Sequence, residues 1–149
     1  MREEKVTILI LKWLQKHDWK IISYDFPQSG TGMLLHKNAV LRHQKNKGGI
    51  IPDIIAKKSN VVVYFENKDR YFEDDFNKIY DLKVKNEYSN SLTKLLGPLS
   101  QLNLFFGIGI PSIPSEINKC IVSSDKIDFL ISVQDDSEIE IHLGSKIFN

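Results

Sequence analysis

A single cysteine in 149 residues leaves no partner for an internal disulfide, and the neighbours of Cys120 (INKCIVSS) supply no second thiol or histidine at metal-binding spacing. Disulfide scaffolds and zinc frameworks are thereby excluded, and Cys120 reads as a small buried thiol. Long apolar runs are missing as well. The N-terminal stretch MREEKVTILILKWLQKHDWK opens on charges and reaches only a short apolar segment before Lys12, which fits neither a secretory signal nor a membrane span. A reducing cytoplasm is the expected compartment, with no membrane partner. Net charge is nearly absent: 20 Lys and Arg stand against 19 Asp and Glu, for a formal charge of +1. Attraction to a polyanion would have to come from uneven distribution. No internal repeat, low-complexity tract or long Pro/Ser linker interrupts the chain. With 42% apolar and 26% charged residues, one ordinary folded domain over residues 1–149 is expected.

Charge is distributed unevenly. Residues 26–52 contain no acid, whereas Lys37, Arg42, Lys45 and Lys47 supply fixed positive charge with His36 and His43 beside them. Residues 111–149 carry Lys119, Lys126 and Lys146 against seven acids, a net of −4. The first region could meet phosphates and the second would not, although solvated loops also show such basic stretches.

Hydrophobic spacing predicts a first helix from about Glu3 to His17, with Val6, Leu9, Ile10, Trp13 and Leu14 as its stripe and Glu3 and Glu4 near its positive end. Trp19 to Tyr24 reads as a short strand, followed by a turn-rich loop at PQSGTG. IIPDIIA (50–56) and VVVYF (61–65) are rich in residues that suit a pleated sheet and are separated by KKSN, which predicts a hairpin. Helical spacing of Phe72, Phe76 and Ile79 follows, opened by Glu73, Asp74 and Asp75. A short helix near Ser91–Leu96 ends at Gly97-Pro98, LFFGIGI (104–110) makes a buried strand, and 127–133 with 138–143 make a second hairpin turning at Asp135 and Asp136. The expected fold class is α/β (α+β), a mixed central sheet flanked by helices.

With Ser59 and Asn60 as the turn of the first hairpin, Asp53 falls opposite Glu66, on the same face with Cα atoms roughly 4.5 to 5.5 Å apart. Period two puts Lys68 on that face, one pleat beyond Glu66. Two carboxylates among Ile51, Ile54, Ile55, Val63 and Phe65 would repel and be poorly solvated unless protons or a cation compensate them. A few oxygen ligands with room for water and a phosphate suit Mg2+, and the Asn67 carbonyl could serve as a further ligand. Lys68 would then stand where an ammonium orients the nucleophile and offsets phosphate charge. The chemistry indicated is metal-assisted phosphodiester hydrolysis.

Pro52-Asp53, twelve residues, then Glu66-Asn67-Lys68 resembles the signature of the PD-(D/E)XK nucleases, which place these residues on neighbouring strands of a hairpin followed by a helix. The resemblance covers roughly residues 50–85. It implies a restriction-endonuclease-like fold, Asp53 and Glu66 as Mg2+ ligands (Mn2+ substituting), and Lys68 as the catalytic lysine. Many members add an acid from the first helix, which points to Glu4, or secondarily Glu3, as an accessory metal ligand. A solvated helix-end acid explains either equally well.

His36, Lys37, Arg42, His43, Lys45 and Lys47 lead into the catalytic hairpin and are the candidate DNA contacts. Gln28, Ser29 and Thr31 could touch a phosphate or base, or simply form a flexible loop. Arg70 and Tyr71 could face substrate or pack. The implied activity is that of a Mg2+-dependent DNA endonuclease most like a type II restriction enzyme or its catalytic subunit. A Holliday junction resolvase is the alternative within the family, and a non-catalytic DNA-binding or interaction protein the alternative outside it. Cutting both strands with one site per chain implies a homodimer, with a separate specificity subunit also compatible.

Overall fold

The computed structural model describes residues 1–25, 32, 34–38 and 49–149. Six strands lie in chain order across one mixed sheet: β1 (Lys20–Tyr24), β2 (Ile54–Lys58), β3 (Val61–Asn67), β4 (Asn103–Pro111), β5 (Phe129–Val133) and β6 (Ile139–Leu143). The pairs β1–β2, β2–β3 and β5–β6 are antiparallel, whereas β3–β4 and β4–β5 are parallel. Each parallel step needs a crossover, supplied by α2 (Glu73–Lys85) with α3 (Ser89–Leu96), and then by α4 (Pro114–Val122). The expected mixed sheet flanked by helices is what forms.

Both sheet faces are covered. Val6, Leu9, Ile10 and Leu14 of α1 (Glu3–Lys16) pack on Ile54, Val63, Phe65, Phe129 and Ile131. On the other face Phe76, Ile79 and Leu82 of α2, Leu92 of α3 and Ile117 of α4 meet Ile55, Tyr64, Ile108, Ile110 and Leu130. Covering both faces explains why β4 and β5 read as unbroken apolar runs, not alternating ones. Among the described residues no helix is long and apolar enough to cross a membrane.

The first hairpin has the expected register: Ile54 pairs with Phe65, and Lys58 with Val61, around a turn in which Ser59 takes a left-handed φ of 54°. β2 nevertheless begins at Ile54, not at Ile50. Pro52 has no N–H for a ladder, and Ile50 bridges back to Leu35 instead. β3 runs two residues beyond the expected end, carrying Glu66 and Asn67 within the strand. α4 has no counterpart in the sequence expectation, although Pro114 at its start and the spacing of Ile117 and Cys120 are ordinary helix signals.

Gly107 marks how tightly β4 and β5 meet, because a Cβ there would overlap the Phe129 ring and its carbonyl oxygen. Gly107→Ala should therefore lower stability by about 1–3 kcal/mol through overpacking. Denaturant unfolding reads this directly, and an unchanged midpoint would contradict the close packing.

Candidate active site

β3 delivers the acid pair. Successive β3 side chains alternate faces, so Tyr64 and Glu66 point toward α2 whereas Phe65 and Asn67 point toward α1. Asp53 stands just ahead of β2, its N–H donating to the Phe65 carbonyl at 3.2 Å. Its carboxylate reaches across the hairpin, where Oδ2 accepts the Asn67 N–H at 2.7 Å. The side chain of Asn67 serves the opposite face: Nδ2 donates to Thr7 Oγ1 of α1 at 3.0 Å. The end of β3 thus ties Asp53 on one side to the first helix on the other.

Glu66 is only 6% exposed, and its two oxygens are treated differently. Oε1 accepts from Lys78 Nζ of α2 at 3.3 Å, while Oε2 is buried with no hydrogen-bond partner. Burial raises Glu66 above the usual carboxylate range, against the opposing pull of Lys78 and Lys68. Burial, with the charge of Glu66 added, pushes Asp53 up to about 7, and the Asn67 N–H restrains the rise. Both acids are short of positive charge, as two carboxylates placed among apolar strands must be.

Lys68 follows one pleat on. Its Nζ lies 3.2 Å from Glu3 Oε1 at the start of α1 and 3.9 Å from Asp75 Oδ1 in the first turn of α2. Burial would lower the ammonium's pKa, but Asp75, Glu3 and Glu66 together outweigh it and raise the pKa above the ordinary lysine value. Lys68 is consequently a fixed cation at neutral pH and not a proton acceptor. Asp75 is itself raised, by burial first, with Lys68 and Lys78 opposing.

The acid arriving from the first helix is Glu3, not Glu4. Glu4 is exposed and, among the described residues, makes no ion pair or side-chain hydrogen bond. The reason is rotational. Glu3 continues the buried line of Thr7, Ile10 and Leu14 at helical spacing, whereas Glu4 aligns with Ile8, Leu11 and Gln15 on the outer side. Lys78 and Asp75 were also missed as site residues. Each lies beside the buried stripe of Phe76, Ile79 and Leu82, a signal that becomes readable only once α2 is known to cross over the hairpin.

Residues expected to touch DNA are less concentrated. Exposed His36 is tied by its backbone to Ser91 of α3, its N–H donating to Oγ at 2.8 Å. Lys37 pairs with Glu87 at 3.4 Å and shares with Lys78 the lining of a cavity of about 320 Å3. Ser29, Arg42, His43, Lys45 and Lys47, with Gln28 and Thr31, lie outside the described residues. Arg70 is exposed, whereas Tyr71 packs on Phe76 and shares a hydrogen bond with Ser123 at 3.0 Å.

Among the described residues no three His, Cys, Asp or Glu side chains converge as a ligand set. A cation here would therefore take Asp53, Glu66, backbone oxygen and water. The unpartnered Glu66 Oε2 fits that role. So does the Asn67 carbonyl, because in an extended strand it projects from the same edge as the N–H that holds Asp53. Mg2+, which keeps several waters and needs only one or two carboxylates, matches this sparse oxygen set better than a metal requiring a closed protein cage.

The raised Asp53 value has a consequence for the metal-free protein. In the unfolded chain this carboxyl titrates near about 4. The folded state holds its proton up to about 7, so folding stability falls as pH rises from 4 to 7 and then levels off. Asp53→Asn should match wild type near pH 4 and become more stable by about 2–4 kcal/mol at pH 8. Denaturant melts at the two pH values measure the difference, and a gap that does not change with pH would contradict the assignment. No protein-family model matches this chain and no curated protein matches it in sequence.

Proposed function

We propose that this protein is a Mg2+-dependent DNA endonuclease of restriction-endonuclease-like fold, closest in kind to a type II restriction enzyme. The observation that carries this reading is the pair Asp53 and Glu66 facing each other across a hairpin, Asp53 half-buried and Glu66 buried, with Glu66 Oε2 unpartnered among the described residues and Lys68 one pleat beyond. A structural role does not account for the pair. A buried and a half-buried carboxylate side by side cost stability at neutral pH, and a scaffold gains nothing from keeping them.

When bound, Mg2+ would polarise a phosphate oxygen and acidify a coordinated water. The protein's own groups supply the rest. Asn67 holds Asp53 through its N–H, and Lys78 fixes Glu66 through Oε1 so that Oε2 is left for the cation. Lys68, kept protonated by its acidic neighbours, offers a permanent positive charge to the phosphate and a donor to orient the attacking water. Its partners Glu3 and Asp75 set the direction of that ammonium and can share it with an incoming phosphate. DNA as partner and a homodimeric assembly belong to this proposal, since each chain carries one such constellation.

A second reading is a Holliday junction resolvase. The arrival of an acid from the first helix, Glu3, at Lys68 favours it, because resolvases resemble this chain in opening with an acid-bearing helix. Supercoiled plasmid and a synthetic four-way junction, each incubated with protein and Mg2+, separate the two. Discrete plasmid fragments indicate restriction, and paired cuts near the branch indicate resolution. Glu66→Ala and Lys68→Ala should each reduce cleavage by about a hundredfold or more while DNA binding changes little. Full activity in either variant would refute the assignment.

A further inference from the structure

Phe72 sits four residues past Lys68, at the residue that precedes α2, and its side chain is 40% exposed. Two cations lie over the ring: Lys68 Nζ at 5.8 Å from its centroid and the Arg70 guanidinium at 5.2 Å. Its neighbour Tyr71 behaves as a structural aromatic, packed on Phe76 and hydrogen-bonded to Ser123. Phe72 does neither, and among the described residues its ring contacts no other aromatic ring.

Local charge narrows what this face can hold. Asp69, Glu73, Asp74 and Asp75 lie within the same short segment, against Lys68 and Arg70. Such a surface gives little long-range attraction for a phosphate backbone, whereas an aromatic face binds a base through stacking, which does not depend on net charge. The lysine and arginine leave the ring polarised and stand ready for the phosphates on either side of a stacked nucleotide. A base inside a continuous duplex is covered on both faces and cannot use the platform. An unpaired or extruded base can.

We propose that Phe72 is a stacking platform for an unpaired base beside the cut phosphate, so that the preferred substrate is DNA bearing a bulged, branched or otherwise unpaired nucleotide. This rests on the nuclease reading in its general form, Mg2+-dependent cleavage of DNA, and within it puts an unpaired-base substrate in place of the continuous duplex of a type II restriction enzyme. It does not require any particular cut geometry.

The test uses a duplex with a single bulged 2-aminopurine and its fully paired counterpart. Binding is read by fluorescence in EDTA, and cleavage is read with Mg2+. Wild type should quench the bulged probe and bind it more tightly than the paired duplex. Phe72→Ala and Phe72→Leu should lose about tenfold in affinity for the bulged DNA and lose the quenching, with paired-duplex binding unchanged. Phe72→Trp should retain both. Because the side chain is at the surface, thermal melts should show all three variants folded. Leucine performing as well as phenylalanine overturns the stacking proposal, as does equal preference of wild type for paired DNA. Cleavage that survives in every Phe72 variant with no change in preference sinks the platform but leaves the nuclease. Stacking without Mg2+-dependent cleavage sinks the nuclease alone, and failure to bind either DNA overturns both.

Discussion

A buried carboxylate and a half-buried one set on the same sheet face are the constraint around which this molecule is arranged. Among the described residues, Asp53 has one backbone donor and Glu66 one lysine, and the remaining Glu66 oxygen has no partner. A carboxylate in such surroundings is stable only if it is protonated, paired or bound to a cation. The neighbouring elements supply part of each remedy. Lys78 comes from α2, Lys68 from the end of β3, and the Asn67 N–H from the strand edge itself. None of them completes the compensation, because both acids remain shifted toward protonation.

The topology makes this convergence possible. β3 lies inside the sheet, paired antiparallel to β2 and parallel to β4, so its C-terminal end opens between two helix starts. α1 brings Glu3 in its first turn and α2 brings Asp75, both toward Lys68. Asn67 locks the arrangement through Thr7, and the absence of a side chain at Gly109 makes room for its amide: a Cβ there would overlap Asn67 Oδ1. Asn67, between the glutamate and the lysine, is thus more than a spacer. Its backbone serves one face of the sheet and its side chain the other.

How much of this was legible follows from which interactions are local. The register of the first hairpin could be computed because the Ser59-Asn60 turn and two β-branched runs fix it within twelve residues. That alone placed Asp53, Glu66 and Lys68. Lys78 and Asp75 were opaque, since their position depends on how α2 packs after a crossover, which no local pattern encodes. The choice between Glu3 and Glu4 was legible in principle, because only Glu3 continues the Thr7, Ile10 and Leu14 line. The helix-end charge argument treats the two acids alike and could not separate them. α4 was overlooked for a different reason: it has a short apolar face within an acidic C-terminal third, where strand signals dominate.

The competition between protons and a metal follows from the same burial. A cation at Asp53 and Glu66 must displace the proton that Asp53 holds up to about 7, so any affinity there would climb with pH through the neutral range. Lys78 neutralises part of Glu66 and lowers the charge available to a second cation, yet by pulling Glu66 back toward its ionised form against burial it eases the loss of a proton that a metal would have to expel. Lys68 is drawn toward Glu3 and Asp75, and its charge still bears on Glu66, whose ionised form it favours. One acid pair thus draws on two lysines for compensation, Lys78 by direct contact with Glu66 from α2 and Lys68 at longer range from its place between the starts of α1 and α2.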